Sequence, residues 1–122
     1  MKIIYTKNAP EPVGPYSQAI LAGNTLYCSG QIGINPQNGE LAEGLEEQTL
    51  QIMKNISEVL SEARLSFKDV VKTTCFLADM KDFSVFNGLY EKAFVSKPAR
   101  SCVAAKELPK GALVEIEVIA VK

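Results

Sequence analysis

Residues 113–121, LVEIEVIAV, constrain the fold more tightly than any other stretch of the chain. Side chains on a strand alternate between two faces, so Val114, Ile116, Val118 and Ala120 share one, and Leu113, Glu115, Glu117, Ile119 and Val121 share the other. The first face is wholly aliphatic and predicts helices packed beneath it. The second sets two carboxylates among aliphatic residues. If it faces water, Glu115 and Glu117 are ordinary surface charges, but Leu113, Ile119 and Val121 are exposed without reason. If another subunit covers it, the carboxylates need partners or raised pKa values.

The remaining elements fit around that strand. The opening IIYT is a short strand, and NAPEPVGPY, with three prolines and a glycine, is neither helix nor central strand. SQAILA and TLYCS flank Gly23–Asn24, a hairpin signal. Gly30, Gly33, Asn35–Pro36 and Asn38–Gly39 mark a long loop. Leu45, Thr49, Ile52, Ile56, Val59, Leu60 and Ala63 recur at helical spacing, with Glu46 and Glu47 in the first turn, where the helix dipole favours anions. VVKTTCFLADM reads as a strand with Val71, Thr73, Cys75 and Leu77 on one side. Asp82 is placed to cap a second helix through Phe83, Phe86, Tyr90 and Phe94. Pro98 ends the connection, residues 101–105 form a short strand, and residues 108–111 form a turn. The order is strand, hairpin, helix, strand, helix, strand, strand. It predicts an α+β architecture, one domain over residues 1–122, with two helices on one face of a small mixed sheet. The uncovered face implies self-association in so small a chain.

Composition removes whole classes of chemistry. The chain has no histidine, which excludes Ser–His–Asp and Cys–His nucleophile pairs and His-based zinc sites. Acid–base work falls to Glu, Asp, Lys, Tyr, Cys or water. Cys28, Cys75 and Cys102 are odd in number and widely spaced, which predicts three buried thiols rather than disulfides or a metal site. The first residues lack the apolar core of a signal peptide, and no run approaches the length of a membrane helix. A reduced, cytoplasmic protein is expected. Formal net charge is −1, the lysines are dispersed and residues 40–62 are acidic, all of which argues against nucleic acid as a partner.

Only two arginines are present. Arg64 reads as a solvated cation at the end of the first helix. Arg100 enters the small-residue run ARSCVAA, where a guanidinium requires an anionic partner. That partner is Glu115 or Glu117 in a structural ion pair, or the carboxylate of a ligand. The hairpin brings Gly14–Pro15–Tyr16–Ser17 close to Ser29–Gly30–Gln31, offering two hydroxyls and a glycine that lets a ligand approach the backbone. Asn87, beside Gly88, is a polar break in an otherwise aromatic helix.

Taken together, GPYSQAI, LYCSGQIG, QTLQIMKNISEVL, VVKTTCFLADMKDFSVFNGLYEKAF, PARSCV and LPKGALVEIEVIAV resemble the reactive intermediate deaminase (Rid, YjgF-type) family, and its imine-hydrolysing subgroup in particular. The resemblance runs from the GPYSQA segment to residue 122. It implies a chorismate-mutase-like fold and a homotrimer with a central β-barrel and active sites between subunits. It also implies hydrolysis of 2-imino acids to 2-oxo acids and ammonia without cofactor or metal. By the same resemblance Glu115 is catalytic and Arg100 binds the substrate carboxylate, while Tyr16, Ser29, Gly30, Asn87 and Cys102 line the site. The AFVSK segment before Pro98 is short for the family. A regulatory trimer that senses 2-oxo acids, and a ribonuclease or translation inhibitor, are the rival activities attached to it.

Overall fold

The computed structural model describes residues 1–122. Six strands form one mixed sheet: β1 (Lys2–Ile4), β2 (Ala19–Ala22), β3 (Thr25–Cys28), β4 (Val70–Leu77), β5 (Ala99–Ala104) and β6 (Val114–Val121). Their order across the sheet is β1-β2-β3-β6-β4-β5. Helix α1 (Leu45–Glu62) joins β3 to β4, and α2 (Phe83–Ala93) joins β4 to its parallel neighbour β5. All other pairings are antiparallel, and β6 inserts between β3 and β4. The strand order of the chain, the Gly23–Asn24 hairpin and both helices are as the sequence predicts.

The core lies between the sheet and the two helices. Val114, Ile116, Val118 and Ala120 of β6 are all buried there, against Ile52, Ile56, Val59 and Leu60 of α1 and Phe86 and Tyr90 of α2. Each fully buried aliphatic side chain contributes about 1.5–3 kcal/mol by leaving water, so β6 is the chief anchor of the sheet. The opposite face is bare in the single chain. Ile3, Ile20, Tyr27 and Ile119 pair in one continuous row across β1, β2, β3 and β6. Ile3 is 64% and Tyr27 51% exposed.

Three local expectations are corrected. Val71 points to solvent rather than the core. A register irregularity between Val70 and Lys72 adds a residue to the start of β4, so Val70 takes the inward position and the alternation resumes at Thr73. Asp82 stands at the start of α2 but makes no side-chain cap. A 3-10 turn, residues 80–82, precedes the helix, and Asp79 caps that turn by accepting from the Lys81 amide at 2.9 Å. Of the three free cysteines only Cys75 is fully buried, while Cys28 and Cys102 are half-buried. Arg64 is exposed in a left-handed conformation just past α1, in keeping with a solvated cation.

Candidate active site

Glu115 lies on the bare face of the sheet, half-buried, two residues from the exposed Glu117. Gln31 runs alongside β6 through reciprocal backbone bonds with Ile116 of 2.9 and 3.1 Å. This brings Gly30 against the Glu115 side chain. A Cβ at position 30 would overlap the Glu115 carboxylate oxygen and come within 2.9 Å of its Cδ. Gly30 matters here through contact, not turn geometry: its bare backbone is the shelf on which the carboxyl group rests, and a side chain there would displace that group. Burial, and secondarily the charge of Glu117, push the Glu115 carboxyl above the ordinary glutamate value.

The loop before β2 closes over this shelf. Ser29 donates its hydroxyl to the Ser17 carbonyl at 2.6 Å, and its amide bonds the Gln18 carbonyl at 2.9 Å. Gln18, a residue the sequence did not single out, is buried beneath the loop. Its Oε1 accepts from the Thr6 amide at 2.7 Å, and its Nε2 donates to the carbonyls of Thr6 and Pro10 at 2.9 Å each. One amide thus pins residues 6–10 in place. The result is a cleft of about 460 Å³ lined by Glu11, Tyr16, Ser29, Gly30, Lys110 and Glu115, among others. Tyr16 is half-exposed at its rim.

Arg100 lies elsewhere. It pairs in register with Thr73, which pairs with Val118, and all three point to the helix side of the sheet. Glu115 belongs to the row Glu115, Phe76 and Val103 on the other side. A structural ion pair between Arg100 and Glu115 or Glu117 is thus excluded within the chain, which corrects one of the two readings of this arginine. Instead Arg100 Nη1 donates to Asn87 Oδ1 at 2.8 Å. The guanidinium carbon sits 4.7 Å from the centre of the Tyr90 ring and 5.4 Å from that of Phe83. Positions 83, 87 and 90 form one stripe of α2, which explains the polar break at Asn87. With Nη1 engaged, the Nε–Nη2 edge is the fork that matches a carboxylate. Cys102 shares this face, one strand position pair further on, and burial raises its thiol pKa. Burial likewise pushes the thiols of Cys28 and Cys75 up to about 12, so all three are neutral at physiological pH.

The seven site residues expected from the sequence therefore divide into two groups. Tyr16, Ser29, Gly30 and Glu115 meet in one cleft, and Arg100, Asn87 and Cys102 gather at the edge strand β5. The endoribonuclease L-PSP family, the Rid or YjgF-type proteins, matches residues 6–122. The chain belongs to that family. This Rid-family chain is 45% identical to the human 2-iminobutanoate/2-iminopropanoate deaminase, over 99% of its own length and 90% of that protein. Its fold is similar to that of RidA from the Antarctic bacterium Psychrobacter sp. PAMC 21119, with a TM-score of 0.97, 42% identity and complete coverage of both chains. It is similar also to E. coli TdcF with bound serine, with a TM-score of 0.96 and 38% identity, covering 100% of this chain and 99% of that one. The chorismate-mutase-like α+β fold expected from the sequence is the fold of these structures.

Proposed function

We propose that the protein hydrolyses 2-imino acids, 2-iminobutanoate and 2-iminopropanoate among them, and their enamine tautomers, to 2-oxo acids and ammonia. The observation that carries this reading is the pair of groups described above: a guanidinium with a free carboxylate-matching edge, and a half-buried carboxyl group with a raised pKa resting on a glycine. The name of the human relative supports the substrate class. The serine bound to TdcF is a small amino acid, similar in size and charge to these substrates.

The sheet stands between Arg100 and Glu115 of one chain, and a substrate of three or four carbons does not reach around it. The proposed site is therefore composite, with Arg100, Asn87 and Cys102 from one copy and Tyr16, Ser29, Gly30 and Glu115 from a neighbour. The bare row of Ile3, Ile20, Tyr27 and Ile119 supports an assembly in which these faces cover one another, a homotrimer with a central barrel. Three free thiols suit a reducing compartment, and a cytoplasmic setting is part of the proposal. No helix is long and apolar enough to cross a membrane.

In the reaction, Arg100 takes the substrate carboxylate in two parallel N–H···O bonds and presents the imine carbon to the Glu115 cleft. Ionised Glu115 accepts a proton from water as the oxygen bonds to the carbon of the protonated imine and the C=N electron pair moves to nitrogen, which gives a neutral carbinolamine. The carbinolamine collapses when Glu115 returns the proton to nitrogen. As the C–N bond breaks and ammonia leaves, Glu115 takes the proton of the carbinolamine hydroxyl, so that C=O forms, and passes it to the departing ammonia. A carboxyl group with a raised pKa holds and releases that proton more readily at neutral pH than an ordinary glutamate. The neutral Cys102 thiol forms a wall of the site, not a nucleophile. Cleavage of RNA is disfavoured by the cleft itself, in which Glu11, Glu115 and Glu117 face a single cation, Lys110.

The test couples the protein to a threonine dehydratase and follows ammonia and 2-oxobutanoate. The wild type accelerates their release, and Arg100→Ala lowers kcat/KM about 100-fold or more through loss of the clamp. Undiminished activity in that variant would exclude the clamp. Binding of 2-oxobutanoate without any acceleration would favour a ligand-sensing trimer.

A further inference from the structure

We propose that Thr73 and Tyr90 are positioning residues for Arg100: the buried bond between their hydroxyls fixes the aromatic platform under the guanidinium and so sets the affinity of the site for substrate carboxylates. This rests on the reading of Arg100 as the carboxylate clamp.

Arg100 springs from an edge strand, and its long side chain has many rotamers to lose on binding. Its orientation comes from α2, through the Asn87 amide and the rings of Phe83 and Tyr90. Tyr90 is the nearer ring, and it is the one tied down. Its hydroxyl lies 2.7 Å from Thr73 Oγ1. Phe94 stacks on it with ring centres 4.4 Å apart and planes 28° from parallel. Thr73 is the in-register neighbour of Arg100 on β4. The contacts therefore close a circuit: from Arg100 across the ladder to Thr73, through the two hydroxyls to Tyr90, and from the ring back to the guanidinium.

This pair is an unusual choice for a core. Thr73 is wholly buried and Tyr90 is 9% exposed. Valine and phenylalanine would fill the same volume without desolvating two hydroxyls, and replacing both partners of a buried hydrogen bond by apolar isosteres is close to neutral for stability. What Val–Phe packing would lose is the fixed height and tilt of the ring. A cation–π contact depends on that geometry, because the attraction is to the ring face.

The experiment is a double-mutant cycle on the full chain with Thr73→Val, Tyr90→Phe and the pair together. Each single variant strands a buried hydroxyl and lowers Tm, whereas the double variant leaves none stranded and regains most of the wild-type Tm. At that restored stability its KM for the imine rises about tenfold while kcat stays near wild type, the split expected when only carboxylate binding is weakened. A double variant with wild-type KM would overturn the proposal. A second readout does not depend on the proposed activity: the Arg100 Nε–H resonance, displaced in wild type by the Tyr90 and Phe83 rings, moves toward its random-coil position in the double variant. An unchanged Nε–H signal would equally overturn the positioning role. A changed signal in the double variant, beside a wild type that proves inactive on imines, would keep Tyr90 as the platform and discard only the substrate.

Discussion

Glu115 shows how a carboxyl group suited to proton transfer comes at a cost to the fold. Its raised pKa means that the folded chain holds a proton which the unfolded chain releases, over the interval from the ordinary value of 4.5 up to the raised one. Stability therefore falls as pH rises through that interval and stays at the lower level above it. Glu115→Gln removes the titration. The expected result is a small gain in Tm at neutral pH, absent below pH 4.5, together with loss of imine hydrolysis. The gain is small because the group is half-exposed and water screens it. A thermal scan across pH reads the first effect and the dehydratase-coupled assay the second. Gln18 makes the opposite case. Gln18→Leu strands the Thr6 amide and the carbonyls of Thr6, Ala9 and Pro10 and is expected to cost about 2–4 kcal/mol in denaturant unfolding. The difference in legibility between these residues is physical. Strand alternation alone places Glu115 on a face apart from the core. The role of Gln18 depends on where residues 6–10 fold back, and nothing within GPYSQ records that. Tyr90 is legible as core but not as the platform for Arg100, because that second role exists only where α2 crosses the β5 edge.

At the scale of elements, β6 and the two helices were legible because their periods are unbroken. Ile116→Ala, in the middle of β6, is expected to destabilise the chain by about 2–5 kcal/mol by opening a cavity beneath α1 and α2, measurable as a shift in urea midpoint at constant m-value. The misreadings fall where one element gives way to the next. At the start of β4 an added residue shifts the alternation by one, so Val71 and Val70 exchange faces. At the start of α2 the 3-10 turn moves the cap back to Asp79. The first shows only in the pairing with β6, which the local sequence does not record, whereas the second rests on a local Asp79 cap that competes with Asp82 for the same helix start.

At the scale of the whole molecule, one sheet separates Arg100 on one face from Glu115 on the other. If Arg100 of one copy works with Glu115 of another, two dead variants should rescue each other. Arg100→Ala and Glu115→Gln chains, each inactive alone, are expected to regain activity when refolded together, since random mixing restores roughly a quarter of the sites with both groups intact. An inactive mixture of well-folded, co-assembled chains would place both groups in a site made by one copy. The Gly30 shelf then acquires a meaning in terms of dosage. A methyl group at position 30 evicts a flexible carboxylate and leaves the backbone undisturbed, so a Gly30→Ala chain would still fold and assemble beside normal subunits. Each such subunit would silence only the cleft it supplies with Glu115. Activity would decline in proportion to the altered share, and a single altered copy would not poison the assembly it joined.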